Sequence, residues 1–265
     1  MTFLQDFLAK KRENGDKILS IYLTAGFPNA GATLPLLQTI EQAGADLIEL
    51  GVPFSDPQAD GPTIQAASFQ ALQNGMTLQK TLDIAEEFKR TSKIPLILMG
   101  YANPFMQFGW KRLLERAKTA GIDGYIVPDL PPEEAEEVRK KMNAAGQSLV
   151  YLVSPNTSPG RIALIAEKTT SFIYAVSLTG ITGARKKLPQ TTVSYLNNLA
   201  EETSHPILVG FGVSNAETAR SLSQHADGVI IGSAIINLIA QNENLEKARD
   251  VVGDFLRQIK SALTV

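Results

Sequence analysis

One carboxylate lies inside an apolar run of the chain, where residues 47–50 read Leu-Ile-Glu-Leu. The apolar run predicts a buried strand, and because side chains alternate faces along a strand, Glu49 shares a face with Leu47. If both faces of the sheet are covered, the carboxyl is buried. Burial raises its pKa toward neutrality, which suits proton transfer. The alternative is a structural acid that forms a cap or a salt bridge and does no chemistry.

A long loop follows this strand and carries a second acid. Residues 51–62 are rich in Pro, Gly, Ser and Asp, which cannot continue a strand and predict a structured loop. Asp60 lies near the far end of that loop. Glu49 and Asp60 are therefore the first candidates for acid–base chemistry.

The composition is that of an ordinary globular protein and excludes several kinds of site. The chain has 265 residues and a formal net charge of −2, so the charge balance does not favour nucleic acid or an anionic membrane as a partner. It has no cysteine, which excludes disulfides, thiolate catalysis and cysteine-ligated metals. His205 and His225 are too far apart in sequence for a His-x-x-x-His metal pair. No signal peptide and no apolar stretch near the ~20 residues of a membrane helix are evident, so we expect a cytoplasmic protein.

Hydrophobic periodicity predicts a helix over residues 3–13 and then eight strands, each followed by a helix. The predicted strands are the segment that carries Glu49 and residues 18–24, 94–101, 124–127, 148–153, 172–176, 207–209 and 228–231. Two helices follow the second strand, at 63–73 and 78–89. A short helix from Ser233 and a long one over 245–263 follow the eighth. Ser214 and Glu217 fit a capping box for the helix over 214–223.

Strict alternation of strand and helix predicts a parallel sheet, and eight such units predict a closed barrel. We therefore expect a (β/α)8 TIM barrel formed as a single domain by residues 1–265, with an N-terminal helix and extra short helices after strands 2 and 8. A faint repeat supports this, because a small residue and an aspartate precede a strand at Asp46, Asp123 and Asp227. The alternative is a doubly wound open sheet. It would normally show a glycine fingerprint after the first strand, where this chain reads Ala25-Gly26-Phe27-Pro28.

In such a barrel the active site lies at the carboxyl ends of the strands. The polar residues at those ends are Glu49, Asp60, Tyr101, Asn103, Asp129, Tyr174 and Ser177. Glycine-bearing turns follow strands seven and eight, at 210–214 and 232–234, where barrels frequently bind a phosphate. Glycine lets backbone amides approach an anion, and the short helix that opens at Gly232-Ser233 would direct its positive end toward it. A third glycine-bearing segment, 179–183, follows strand six.

One segment closely resembles the signature of the tryptophan synthase α-subunit family: residues 48–65, Ile-Glu-Leu-Gly-Val-Pro-Phe-Ser-Asp-Pro-Gln-Ala-Asp-Gly-Pro-Thr-Ile-Gln. The similarity continues through residues 101–104, 180–183, 210–212 and 232–234, in order and with family-like spacing. It covers essentially the whole chain. So long a match within one loop is highly specific.

The resemblance implies a retro-aldol cleavage of indole-3-glycerol phosphate to indole and glyceraldehyde 3-phosphate. This reaction needs a proton delivered to indole C3 and a proton removed from the hydroxyl next to the breaking bond. One carboxyl of raised pKa can do both in turn, and Glu49 occupies the family's acid/base position. Asp60, at the second catalytic position, would accept a hydrogen bond from the indole N–H and stabilise the charge that develops there.

The resemblance also implies where the substrate binds. The phosphate is expected on the backbone amides of Gly183, Gly212, Gly232 and Ser233, with Tyr174 as an additional contact. The candidate walls of the indole pocket are Tyr22, Tyr101 and Phe211. The segment 177–185 resembles the family's lid, with Thr182 directed toward Asp60 on closure. Leu178 departs from members with a basic residue there, which leaves a lid-to-phosphate contact through this side chain in doubt.

The family works as an α2β2 complex with a β subunit that binds pyridoxal phosphate and consumes the indole, so we expect that partner and no cofactor on this chain. The loop residues expected at the contact are Asp56, Pro57, Asn103, Pro104, Asp129 and Pro131. Two other functions remain open. A barrel acting on phosphoribosyl substrates would share the phosphate turns but lack the Pro-Phe-Ser-Asp-Pro loop. A non-catalytic activator of the β subunit would not need both Glu49 and Asp60.

Overall fold

Eight parallel strands form a closed barrel in the computed structural model, which describes residues 2–176, 188–210, 212–242 and 244–264. Each strand pairs with its neighbour in chain order, and the last pairs with the first. The strands are β1 (Ile18–Thr24), β2 (Leu47–Gly51), β3 (Leu96–Met99), β4 (Gly124–Ile126), β5 (Ser148–Val153), β6 (Ile173–Val176), β7 (Ile207–Gly210) and β8 (Gly228–Ile231). The predicted TIM barrel is confirmed, and the doubly wound alternative is wrong.

The described residues also form twelve helices, most of which follow a strand and cover the outside of the barrel. They are α1 (Phe3–Glu13), α2 (Thr33–Gln42), α3 (Pro62–Gln73), α4 (Leu78–Lys89), α5 (Ala102–Phe108), α6 (Trp110–Thr119), α7 (Pro132–Ala144), α8 (Pro159–Lys168), α9 (Gln190–Glu202), α10 (Ala216–Ser223), α11 (Ser233–Ala240) and α12 (Leu245–Leu263). The predicted N-terminal helix and the additional helices after β2 and β8 are confirmed. None of these helices has both the length and the apolarity needed to cross a bilayer.

Strand β3 is Leu96–Met99, shorter than the predicted 94–101, and two further local features differ from the sequence prediction. Helix α5 was not predicted, because Asn103-Pro104 resembles a loop signal; Pro104 lies in the first turn, where a helix tolerates proline because the amide has no partner there. The predicted capping box at Ser214 is wrong by one residue. The N-cap of α10 is Asn215, whose side-chain oxygen accepts the backbone N–H of Thr218 at 2.8 Å.

Alternation along the strands divides the core into an inner and an outer part. The inner cluster lies inside the barrel and contains Ile18, Leu47, Ile97, Ile126, Val150, Phe172, Leu208 and Ile230. Leu4 and Leu8 of α1 belong to the same cluster, so this helix closes the amino end of the barrel. Ile48 and Leu50 belong to the outer cluster between strands and helices. Glu49 therefore points inward, on the face predicted for it.

The aspartates of the sequence repeat perform one structural task three times. Each precedes an even-numbered strand and accepts a backbone N–H from the strand before it: Asp46 from Leu19, Asp123 from Leu96 and Asp227 from Ile207, at 2.8–2.9 Å. Each also forms a salt bridge. Asp46 pairs with Lys11 and Lys260, Asp123 with Lys89, and Asp227 with Arg12. These contacts set the start of adjacent strands at the amino end, opposite the carboxyl ends where the candidate site lies.

Candidate active site

Glu49 lies in the barrel interior, between Tyr22 of β1 and Ile97 of β3 in the strand register, and is 0% exposed. The Ser20 hydroxyl donates a hydrogen bond to Oε1 at 2.7 Å, whereas Oε2 is buried and has no partner among the described residues. Burial raises the pKa of Glu49 to about 7, against the opposing effect of the Ser20 hydrogen bond. At neutral pH the carboxyl can therefore both give and take a proton.

Asp60 is held at the end of the loop after β2 by Tyr101, the N-cap of α5, which follows the next strand. The Tyr101 hydroxyl donates to Oδ2 of Asp60 at 2.9 Å and accepts the backbone N–H of Ala59 at 3.0 Å. Burial raises the pKa of Asp60, and the hydrogen bond from Tyr101 opposes that rise. No partner of Oδ1 occurs within the described ranges, so this oxygen is free to accept a bond from a ligand.

Tyr22 and Tyr174 lie within electrostatic reach of both acids. The pKa of Tyr174 is raised well above its ordinary value, mainly by burial and further by the charges of Glu49 and Asp60. The pKa of Tyr22 is raised by burial, with further contributions from the same two acids. The two phenols therefore remain neutral at ordinary pH, and both lie close enough to Glu49 and Asp60 for the charges to interact.

Two glycines make room for these tyrosine rings. A Cβ on Gly51 would lie 2.3 Å from the Tyr22 hydroxyl oxygen, and a Cβ on Gly210 would lie 2.5 Å from Cε1 of Tyr174. In both cases the glycine lies two residues beyond the register partner of the tyrosine, on the next strand. Sequence reasoning missed this role of both residues; the available signal was a glycine at the end of each strand.

The turns predicted to bind phosphate leave adjacent strands. Strands β7 and β8 are paired neighbours, so the turns that contain Gly212 and Gly232 begin side by side. Gly212 has φ +56°, a conformation that strongly favours glycine. Gly232 is the N-cap of α11 and provides no side-chain cap, so amides of the first turn, beginning at Ser233, have no side-chain acceptor there. This arrangement suits an anion.

Several predicted site residues lie outside the described residues. They are Ser177, Leu178, Thr182, Gly183 and Phe211, together with the rest of the segment 177–185.

A cavity of about 560 Å³ opens at the same end of the barrel, between the loops after β2, β3 and β4. It brings together three of the residues expected at a partner contact: Asp56, Asn103 and Asp129. Phe54 and Tyr101 also line it. Tyr101, the side chain that holds Asp60, therefore forms part of the cavity wall. Pro57, Pro104 and Pro131 do not line it. The carboxylate of Asp129 accepts the first backbone N–H of α5 at 2.9 Å and fixes that helix against the cavity.

Comparison with known proteins gives one consistent result. The family model described as tryptophan synthase alpha chain matches residues 8–263. A tryptophan synthase alpha chain of Dehalococcoides mccartyi is 42% identical over 247 residues, which cover 93% of this chain and 95% of that protein. The crystal structure of tryptophan synthase subunit alpha from Legionella pneumophila has a TM-score of 0.92 at 35% identity, covering 100% of this chain and 99% of that one. A chain of the crystal structure of the tryptophan synthase complex from Pyrococcus furiosus has a TM-score of 0.85 at 37% identity, covering 93% of this chain and 98% of that one.

Proposed function

The chain belongs to the tryptophan synthase alpha chain family, and we propose that Glu49 and Asp60 are the two catalytic acids of its reaction. The chain is a carbon–carbon lyase. It cleaves indole-3-glycerol phosphate to indole and glyceraldehyde 3-phosphate, the α reaction of tryptophan synthase in L-tryptophan biosynthesis. The observation that carries the assignment is the fully buried Glu49 carboxyl with one oxygen held and the other free.

Glu49 performs the proton transfers. Its protonated carboxyl delivers a proton to indole C3, which leaves the ring electron-poor. The carboxylate then removes the proton of the hydroxyl beside the breaking bond. The bonding electrons return to the ring, which becomes indole, while the hydroxyl carbon becomes the aldehyde of glyceraldehyde 3-phosphate. A pKa of about 7 suits a group that must act as acid and then as base.

Asp60 stabilises the intermediate state. Protonation at C3 places positive charge on the indole nitrogen, and Oδ1 of Asp60 accepts the hydrogen bond from its N–H. Because Tyr101 already holds Oδ2, the carboxylate is oriented before the substrate arrives. A preorganised acceptor where charge develops is among the stronger contributions a site can make.

The remaining groups orient the substrate. The phosphate lies on the backbone amides of Gly183, Gly212, Gly232 and Ser233, next to Tyr174. The indole ring packs against Tyr22, Tyr101 and Phe211. These two anchors hold the breaking bond beside Glu49, and binding energy from the phosphate contributes to orientation at the reacting carbon.

An assay of indole release tests this assignment. We expect Glu49→Gln to lower kcat by about a thousandfold or more, because glutamine neither gives nor takes a proton. Asp123→Asn is the control: Asp123 is a partly buried acid whose pKa is also raised by burial, but it lies at the amino end of β4 and bonds Leu96 and Lys89. It should lose stability and retain kcat. Unchanged turnover in Glu49→Gln would remove Glu49 from the mechanism.

The proposal extends to a partner and to the compartment. The β subunit of tryptophan synthase docks over the 560 Å³ cavity in an α2β2 complex, and a tryptophan synthase complex is known from Pyrococcus furiosus. An exposed apolar side chain beside the cavity supports this docking site: Met106 is 62% exposed on α5, one turn beyond Asn103 of the cavity wall. Pyridoxal phosphate belongs to that partner, since the cleavage needs only proton transfers and charge stabilisation from this chain. Both chains work in the cytoplasm.

Titration with the β subunit tests the docking surface. We expect Met106→Glu to weaken binding by about tenfold or more, since it places a charge in an apolar contact. Phe3→Glu is the control, because Phe3 is 50% exposed on α1 at the opposite end of the barrel. Equal titration midpoints for the two variants would place the partner elsewhere.

A further inference from the structure

We propose that Ser20 is a positioning residue for the cleavage: its hydroxyl holds Oε1 of Glu49, so that Oε2 is the oxygen that exchanges protons with the substrate. This inference rests on the proposed role of Glu49. Nothing in the family resemblance assigned a role to Ser20.

The position of Ser20 is unusual for a hydroxyl. The side chain is 0% exposed on β1, next to Leu47 in the strand register and one layer below Glu49, which pairs with Tyr22. Its register partner Leu47 belongs to the apolar inner cluster. A hydroxyl buried among apolar residues is destabilising unless it is hydrogen-bonded, and the one bond found for Ser20 among the described residues is to Glu49.

The contact makes the two carboxyl oxygens different. Oε1 accepts the Ser20 hydroxyl at 2.7 Å, which fixes the rotation of the carboxyl group. Oε2 is buried and has no partner within the described ranges. A proton on Oε2 leaves the Ser20 bond intact, so the hydroxyl can donate to Oε1 throughout the cycle. Glu49 then gives and takes the proton at one fixed point.

The same contact sets the pH at which Glu49 ionises. Because the hydrogen bond is stronger to a carboxylate than to a neutral carboxyl, Ser20 lowers the pKa of Glu49, opposing the larger upward effect of burial. Among the described residues, the other titratable groups in electrostatic reach are Tyr22 from β1, Tyr174 from β6 and Asp60 from the loop after β2, whereas β3 contributes the apolar Ile97. All of these remain in a Ser20 variant, so a changed pH profile reports the loss of the hydroxyl.

The test is the pH dependence of indole formation from indole-3-glycerol phosphate, with kcat and KM measured separately. We expect Ser20→Ala to lower kcat by about tenfold with KM changed by less than about threefold, and to move the pH limb set by Glu49 upward by about one unit. Ser20→Thr keeps a hydroxyl and should restore the wild-type limb. The substrate phosphate titrates identically in every variant, so differences between variants belong to the enzyme.

Ser148→Ala is the matched control. Ser148 is an equally buried strand serine, but its hydroxyl bonds Thr2 at the amino end of the barrel. It should leave both kcat and the pH limb unchanged. If circular dichroism shows that Ser20→Ala is unfolded, the same measurements are made on Ser20→Cys, because a thiol has a similar size and is a weaker hydrogen-bond donor.

A wild-type pH limb in Ser20→Ala, or an equal shift in Ser20→Ala and Ser148→Ala, overturns the inference. If Glu49→Gln is inactive while Ser20→Ala keeps the wild-type kcat and limb, the role of Ser20 is wrong and that of Glu49 stands. If Glu49→Gln retains full turnover, both are wrong.

Discussion

The Tyr101 hydroxyl lies 2.9 Å from Oδ2 of Asp60 and joins two elements that are far apart in sequence. It donates to the carboxylate and accepts the backbone N–H of Ala59, so one side chain fixes two adjacent residues of the loop after β2. Tyr101 is also the N-cap of α5, so the position of Asp60 depends on how that helix begins. The residue expected as a wall of the indole pocket is therefore also the anchor of an acid.

Removing this hydroxyl should lower turnover. In Tyr101→Phe the ring still packs on Phe54, 5.4 Å away between centroids, but Asp60 loses a donor and the Ala59 amide loses an acceptor. We expect kcat for indole release to fall about tenfold, the effect of losing a hydrogen bond to a charged group. Tyr125→Phe is the control, because that buried hydroxyl bonds Gln147 instead. A kcat equal in the two variants would contradict the anchoring role.

The charge of Asp60 should matter more than its shape. Asp60→Asn keeps an oxygen that can accept from Tyr101 and a similar volume, but it carries no negative charge to meet the developing charge on the indole nitrogen. We expect kcat to fall by about 10²–10³, or about 3–4 kcal/mol of transition-state stabilisation. Urea unfolding should show a nearly unchanged free energy. A loss of turnover smaller than about threefold would show that Asp60 does not stabilise the transition state.

The barrel could be predicted from the sequence because its signals are local. Strand β1 and helices α1, α4 and α12 have the predicted bounds, since each has a clear apolar period and a polar or glycine boundary. Helix α5 was not predicted, because a proline in so short a segment favours a loop when only the sequence is considered. At α10, Ser214 and Asn215 are both good caps, and the sequence pattern alone did not decide between them.

The site could be predicted only in part, for a physical reason. Alternation along one strand predicted that Glu49 shares a face with Leu47, and the structure shows that this face points into the barrel. The contacts of Ser20 with Glu49 and of Gly51 with Tyr22 depend on the register between β1 and β2, which the periodicity of a single sequence does not contain. The bond between Tyr101 and Asp60 depends on how two loops fold over the barrel end.

Gly51 offers a test of that register. A Cβ there would lie 2.3 Å from the Tyr22 hydroxyl oxygen and 2.6 Å from Cζ, so Gly51→Ala must displace the ring. We expect a loss of roughly 1–3 kcal/mol in the free energy of urea unfolding, the usual range for overpacking. Gly160→Ala is the control: nothing lies within 4 Å of its Cβ position in α8, and alanine should be neutral or slightly stabilising there. Equal stability of the two variants would contradict the predicted clash.

A charge at the start of α11 should weaken substrate binding. Ser233→Asp places a carboxylate beside the backbone amides proposed to hold the phosphate, whereas Ser233→Ala keeps those amides and adds no charge. We expect Ser233→Asp to raise KM by about ten- to a hundredfold through charge repulsion, and Ser233→Ala to change it little. The effect should shrink as salt is added. If both variants have the wild-type KM, the phosphate binds elsewhere.

Burial of Glu49 should also make the stability of the protein depend on pH. Its folded-state pKa is raised from the ordinary 4.5 to about 7, so the folded state holds this proton more tightly than the unfolded chain does. The resulting stability is fully present below about pH 4.5 and is lost as the pH rises through about 7, a change of about 3 kcal/mol. Glu49→Gln stays neutral and lacks this dependence. The free energy of urea unfolding of Glu49→Gln, minus that of the wild type, should therefore increase by about 3 kcal/mol between about pH 4.5 and about pH 8. Since every other titrating group is common to both proteins, a difference that stays constant over this range would mean that Glu49 ionises in the folded protein as it does in water.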